Sequence, residues 1–565
     1  MSQAMAGQRP LGELLDRRQR WALMLSLMLC MFLSALDGSI VSTATPRILA
    51  DLGGFSLLSW VFTVYILSST VVVPIVGKLS DMFGRKTFLI GGIAIFVTAS
   101  AACGAAPSMI ALIVARGVQG FGGGMVMASV FTTLGDLFPP AERAKYIGLF
   151  TGTFSLAAIT GPTVGGLLTD TVGWRWCFFV NVPFGALAIL FIWLNLPFRR
   201  LGGKLSRVDF AGAALLASAT TSLLLALVWG HQEFGWASPE TTGLFVASGV
   251  LTVAFVLQEM RHPGAILPMV LFRNRVFVQS NLTVVCLGAG MFGAIQYLPT
   301  FLQTALGDSA TSSGLVSTPQ SLGLLVSSVI GGQMIARTGR FKYQVILGAC
   351  FVVAASFLLR TLDTGEAEWH ISLFMVLYGL GSGLVMPSMS VIVQSAVSHE
   401  YLGVATSSRQ FFMQIGQVFG TAIFGVILAT SFQSSFDSHV SDQARAAIAP
   451  ATLQRFEDPT FALNKPAFAQ VQTEVRALPG GEALLTSTVA AQKNAIATAI
   501  RDIFTGSSIA ALLVLFLAVT AKEIPLRRGF FPEQTRGPQP LPAAGPLPAD
   551  APEAVALEPP LPALD

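Results

Sequence analysis

The sequence predicts an all-α integral membrane protein: about fourteen transmembrane helices, in two similar six-helix halves with two further helices inserted between them. Three observations predict it. Of the 565 residues, 53% are hydrophobic and only 11% charged, against about 25% charged in soluble domains. The mean hydropathy is +0.67, and the apolar residues fall in runs long enough to cross a bilayer, which takes about 20 residues. Motifs in the first part of the chain also recur some 255–259 residues later.

The spans are read, in order, as residues 21–43, 58–77, 88–106, 109–130, 145–167, 177–197, 209–229, 241–259, 277–299, 314–336, 343–361, 371–395, 404–430 and 504–521. The run from Trp21 is too long for a signal-peptide core and contains Asp37, so it is read as the first span. Basic residues orient the array. With the N-terminus (1–20) inside, the inner segments carry 23 Lys and Arg, against three (Arg47, Arg175, Arg360) in the short outer loops. An even span number returns the C-terminus to the same side. The Pro/Ala-rich tail 522–565 is expected to be disordered. The long segment 431–497 is placed outside, with an amphipathic stretch near 484–503 that is expected to cap the outer mouth or lie on the membrane.

The repeat defines the halves. Gly77 to Lys86, after span 2, is echoed by Gly332 to Phe341 after span 10, with Ala336 where the first copy has Asp81. Gly122 to Met127 is echoed by Gly381 to Met386, and Gly161 and Gly166 by Gly420 and Gly425. Residues 21–197 and 261–521 are therefore two related halves, and 198–260 is an insertion of two spans. Two similar halves with a site at their interface suit alternating-access transport.

Composition also excludes. A net charge of +4, dispersed along the chain, is no footprint for nucleic acid. Five isolated cysteines and five loop histidines offer no metal-ligand spacing, and no nucleophile motif or phosphate-binding loop appears. The expectation is thus a transporter and not an enzyme, without metal or cofactor and driven by the proton-motive force. Its partners are the lipid bilayer, protons and small hydrophobic or cationic substrates. No feature names an adaptor protein.

Ionisable residues deep in a membrane are costly and usually functional. Only Asp37, Arg116 and Arg409 lie well inside the predicted spans. Helical rise puts Asp37 about 24 Å from the inner end of span 1 and Arg116 about 10 Å from the outer end of span 4, similar depths at which an ion pair is possible. Asp37 is read as the proton-binding carboxylate. Arg409, near the inner end of span 13, is expected to snorkel to the interface. Gln410, Gln414 and Gln417 share one helix face and, with Gln119, Gln296 and Gln320, are candidates to line a polar cavity or to bond between helices. Trp60, Tyr65, Phe292 and Tyr297 could meet flat or cationic compounds through their rings, or simply pack. In the loop, Gly77 and Gly84 permit tight turns and close approach. Asp81 can pair with Arg85 or a helix N-terminus. A single deep acid favours monovalent cations or neutral lipophiles over dications.

Five segments together resemble the major facilitator superfamily, and specifically its fourteen-span drug:proton antiporters: Leu36 to Ile48, Gly77 to Lys86, Arg116 to Gly120, Gly161 to Gly166, and Trp174 to Gly185. The likeness covers roughly residues 20–430. It implies proton coupling by Arg116 alongside Asp37, and a gating loop of Gly77, Asp81, Gly84, Arg85 and Lys86. It also implies an antiporter motif, Gly161, Pro162, Gly165 and Gly166, at an interface between halves that limits proton leak. It further implies multidrug efflux across a plasma (bacterial inner) membrane, with export of one dedicated metabolite, such as a siderophore or antibiotic, as the alternative.

Overall fold

The computed structural model describes residues 11–53, 57–198, 208–232, 234–459, 461 and 465–523. The proposed tail is therefore mostly outside the described residues. Fourteen helices are long and apolar enough to cross a membrane, and no strand occurs among the described residues. They are α1 (Arg17–Leu52), α2 (Leu58–Phe83), α3 (Arg85–Gly104), α4 (Met109–Leu137), α5 (Pro140–Thr171), α6 (Asn181–Asn195, preceded by the turn Trp176–Phe179) and α7 (Phe210–Gln232). The series continues with α8 (Pro239–Arg261), α9 (Arg275–Phe301), α10 (Ala310–Thr338), α11 (Lys342–Leu359), α12 (Glu368–Ser395), α13 (Leu402–His439) and α14 (Gly481–Thr520). We call the side on which α1 begins the starting face, and the other the far face.

Local chemistry fixes the boundaries. Asp16 caps α1 reciprocally with Gln19, satisfying backbone N–H groups that a helix start leaves open. The side chains of Ser108, Ser238, Asn274 and Ser309 accept from backbone N–H groups at the starts of α4, α8, α9 and α10. Between α2 and α3 a single residue, Gly84, turns the chain at φ +99°, in a region that favours glycine.

Helices α1–α6 form one bundle and α9–α14 the other. They meet chiefly where α5 crosses α10 and where α2 crosses α13. The inserted helix α7 packs on α2 and α13, bridging the two halves from outside, while α8 packs on α7. The connection after α8 is held by the buried Glu259, whose carboxylate accepts from Ile266 N (3.0 Å) and Leu267 N (2.9 Å).

The segment 431–497 differs from the loop expected of it. Helix α13 runs on to His439, and α14 begins at Gly481, far before residue 504. Forty residues of helix span about 60 Å, twice the bilayer's hydrocarbon thickness. The excess stands beyond the far face. There it packs with short helices Asp442–Ala447, Pro450–Phe456 and Lys465–Arg476 around Phe432, Phe436, Phe456, Phe461 and Phe468. The amphipathic pattern at 484–503 thus belongs to the first half of α14, whose apolar side (Ala495, Ile496, Ile500) is buried against this cap.

Candidate functional site

Three groups of polar residues interrupt the apolar packing. The first lies in the core of the first half. Asp37 on α1 and Arg116 on α4 form an ion pair, as their similar depths allowed, and are 0% and 1% exposed. Gln119, one turn after Arg116, donates to Asp37 Oδ1 (2.7 Å) and accepts from Arg116 (2.8 Å). Asn181, at the start of α6, donates to the same Oδ1 (3.2 Å) and lies 3.0 Å from Ser100 Oγ. Arg116 Nε donates to the Val61 carbonyl (3.2 Å), and the guanidinium lies over the Tyr65 ring, 4.2 Å from its centre. Five helices therefore contribute to one buried, nearly saturated network. Burying charges is tolerable only with such compensation.

This placement decides between alternatives at two residues. Gln119 does not line a cavity; both ends of its amide are spent on the ion pair. Tyr65 faces Arg116 instead of an open site. Of the other expected aromatics, Trp60 packs edge-on against Trp229 of α7 at 5.9 Å, and the Tyr297 hydroxyl donates to the Thr421 carbonyl at 2.7 Å. The Phe292 side chain falls outside the described residues. Asn181 lay within a quoted motif but was given no role. Its signal was an amide at the start of an apolar run.

The second group is at the starting face. Asp81, near the end of α2, pairs with Arg85 and accepts from the backbone N of Val404 at 3.1 Å. It thus sits at the N-terminus of α13 in the other half, where the helix dipole favours an anion. Arg85 also bonds Asp136 (2.8 Å) and Ser80 (2.7 Å). A Cβ on Gly77 would collide with Ser407 of α13, so glycine there permits α2 and α13 to cross closely. Lys86 turns away: its ammonium donates to the Trp193 carbonyl (2.7 Å) and lies 5.0 Å from the Trp193 ring.

Residues not singled out by sequence extend this seal. Arg143 at the start of α5 donates to Gln394 Oε1 on α12 (3.0 Å), and Gln394 donates to Thr406 on α13 (3.0 Å). Deeper, Ser328 on α10 donates to the Gly148 carbonyl on α5 (3.1 Å). The described side-chain hydrogen bonds between halves (Asp81–Val404, Arg143–Gln394, Ser328–Gly148) all lie toward the starting face.

The antiporter-motif glycines sit elsewhere than the resemblance implied. Gly161 faces Ser39, and Gly165 faces Ile40 and Thr43, all on α1 of the same half; Gly166 has nothing within 4 Å. Pro162 lies inside α5 beside them. The motif therefore lets α5 approach α1 closely. The close approach of α5 to the other half falls instead at Gly148, and that of α10 to α5 at Gly332.

The third group surrounds a cavity of about 250 Å³ between the halves. Seven helices line it: α1, α4 and α5 from one half, and α9, α10, α12 and α13 from the other. Five lining residues are methionines (Met31, Met127, Met291, Met386, Met413), with Gln320, Gln410 and Gln417 among the polar ones. Three of the six candidate glutamines thus reach it. Gln296 is exposed and is not among the lining residues, and the Gln414 side-chain oxygen is buried without a partner, off the cavity. The lining includes one charged residue, Arg409, which is 3% exposed and does not snorkel.

Motif order, repeat and fold converge with the comparisons. The major facilitator superfamily model matches residues 27–421. The chain belongs to the major facilitator superfamily. It is 42% identical to the multidrug transporter protein MdtP of Bacillus subtilis over 73% of this chain and 75% of that one. It is 32% identical to multidrug resistance protein 3 of the same organism (77% and 84%). It is 29% identical to the acurin A biosynthesis cluster MFS-type transporter of Aspergillus aculeatus (75% and 77%). Among solved structures, the human organic anion transporter MFSD10 (TETRAN) superposes with a TM-score of 0.57 at 15% identity, over 89% of this chain and all of that one. This likeness shows the fold alone. The protein is a multi-pass membrane transporter of small molecules.

Proposed function

We propose that the protein exports lipophilic organic compounds across a plasma membrane in exchange for protons, by alternating access. The observation that carries this reading is the cavity: adaptable methionines and a few amides, set between two six-helix halves whose described side-chain hydrogen bonds to each other lie toward one face. Methionine side chains repack around differently shaped ligands, which suits the multidrug transporters among the relatives. With the basic starting face taken as cytoplasmic, the conformation is closed to the cytoplasm. Asp81, seated on α13, is then the latch of that state.

Protons are taken to act at Asp37. The cavity-lining Met31 lies six residues before Asp37 on α1, and Met127 eleven after Arg116 on α4, or about 9 and 16 Å along the helices. Coupling must therefore work through movement of α1 and α4, because the substrate does not touch the carboxylate. Protonating Asp37 weakens its hold on Arg116 and frees the two helices to shift.

The test uses proteoliposomes with an acidic lumen. Adding a transported lipophile should raise lumenal pH in step with its accumulation, and Asp37→Asn should abolish both. Accumulation without proton release would refute antiport. A second reading, export of one dedicated metabolite, draws on the relative named for a biosynthesis cluster. A response to a single member of a broad panel would favour it.

A further inference from the structure

We propose that Arg409 is the charge partner of the substrate, and that the protein carries lipophilic monoanions: compounds with an apolar body and one carboxylate or similarly acidic group. The proposal rests on the export reading and narrows its substrate class.

The argument begins with how buried arginines are satisfied here. A guanidinium has five N–H donors and no acceptor. Arg116 meets Asp37, Gln119 and a backbone carbonyl. Arg85 meets Asp81, Asp136 and Ser80. Arg143 meets the carbonyls of Gly135 and Phe138 and the amide of Gln394. Arg409 is as buried as these and poorly served. One nitrogen donates to Gln410 Oε1 at 3.1 Å, another faces only the Met413 sulfur at 3.8 Å, and Nε has no acceptor. The nearest ring, Phe131, is 5.5 Å away. No carboxylate lies within ion-pair distance among the described residues, and no Asp or Glu lines the cavity.

Arg409 is part of the wall of that cavity, so a bound molecule meets its side chain; Nε itself is covered, and a small turn of the guanidinium is needed to present it. An anionic group there would form charge-assisted hydrogen bonds, which are shorter and stronger than neutral ones. A cation would be repelled by the same guanidinium. This reverses the charge expected of the substrate from sequence, where the only deep acid was assumed to face it. Asp37 is instead consumed within the first half.

The charge also bears on the transport cycle. Closing both ends around a lone cation in an apolar cavity carries a heavy desolvation penalty. An anionic substrate neutralises it, so the loaded carrier occludes more readily than the empty one. The repeat gives no architectural reason for the arginine: at the 259-residue offset, the first half has the fully buried Phe150.

The test is equilibrium binding of three radiolabelled probes to the full-length protein in nanodiscs at neutral pH, with empty nanodiscs subtracted. The probes are 1-naphthaleneacetate, its primary amide and 1-naphthylmethylamine. The wild-type protein should bind the acid roughly tenfold or more tighter than the amide, as hydrogen bonds to charged groups imply, and the amine most weakly. Arg409→Gln should bring the acid down to the amide's affinity while still binding the amide, and Arg409→Lys should keep a preference for the acid. Equal binding of acid and amide by the wild type would overturn the proposal, as would preference for the amine or an acid preference that survives Arg409→Gln. If the wild type binds the amide or amine and not the acid, the proposal fails and the export reading stands. If the folded wild type binds none of the three, both fail.

Discussion

The two halves descend on the same plan and spend their charges differently. In the first half, Arg116 and Gln119 hold Asp37 in a sealed network, and Asp81 reaches across to the other half. At the corresponding places the second half has Met375, Tyr378 and Ala336. Met375 is core, and the Tyr378 hydroxyl lies 3.2 Å from Ser507 of α14. Conversely, Arg409 stands at the cavity where the first half has Phe150. The contrast teaches that the repeat supplies the scaffold and that function comes from breaking its symmetry. On the proposed function, the first half handles protons and the latch, and the second presents charge to the substrate.

Making the first half resemble the second should break this division, and the largest effect is expected at the ion pair. Arg116→Met leaves a buried carboxylate without its partner and should cost about 3–5 kcal/mol of stability, read as a lowered thermal midpoint in detergent. Combining it with Asp37→Asn should recover most of that stability and none of the proton-driven transport. Recovery of transport by the double variant would mean that the pair is purely structural.

A smaller effect is expected at the latch. Asp81→Ala copies the residue found at 336 and removes charged hydrogen bonds worth about 1.5–3 kcal/mol each. Spin labels on the starting-face ends of α2 and α13 should then show the sealed population falling about tenfold or more relative to the open one. An unchanged distance distribution would assign the closure to Arg143–Gln394 and Ser328–Gly148. The smallest effect is expected in the second half. Tyr378→Phe removes one neutral hydrogen bond, about 1 kcal/mol, and should leave the proton-to-substrate ratio unchanged.

Much of this was legible from residues alone. Hydropathy placed the fourteen spans, and helical rise matched Asp37 to Arg116, because depth in a bilayer follows directly from position along a straight helix. Rotation about the helix axis does not follow from it. Sequence therefore leaves Gln119 open between lining a cavity and bonding between helices, although one turn from Arg116 it necessarily shares that residue's face. Gly161 and Gly165 were assigned to the interface between halves, although the face they occupy meets α1. Arg409 was expected at the membrane surface because it lies five residues from the predicted start of its span at 404. Helix α2 packs against that end of α13, at Gly77 and Ser407, and the arginine is buried at the cavity. A cap at 431–497 is one of two readings the sequence leaves open, because its helices are short and amphipathic, a pattern that an isolated sequence shares with surface-lying segments.

The central claim is that proton binding and substrate binding occupy different places in one molecule. It is tested most directly by adding a binding lipophile to purified protein in weakly buffered detergent solution and following proton release together with substrate affinity. Wild-type protein should release protons as the substrate binds. Asp37→Asn should release none and, as a mimic of the protonated carboxylate, should still bind the substrate but more weakly by the reciprocal coupling factor, roughly 5–150-fold. Proton release that persists in Asp37→Asn, or substrate affinity lost outright with the carboxylate, would contradict the account.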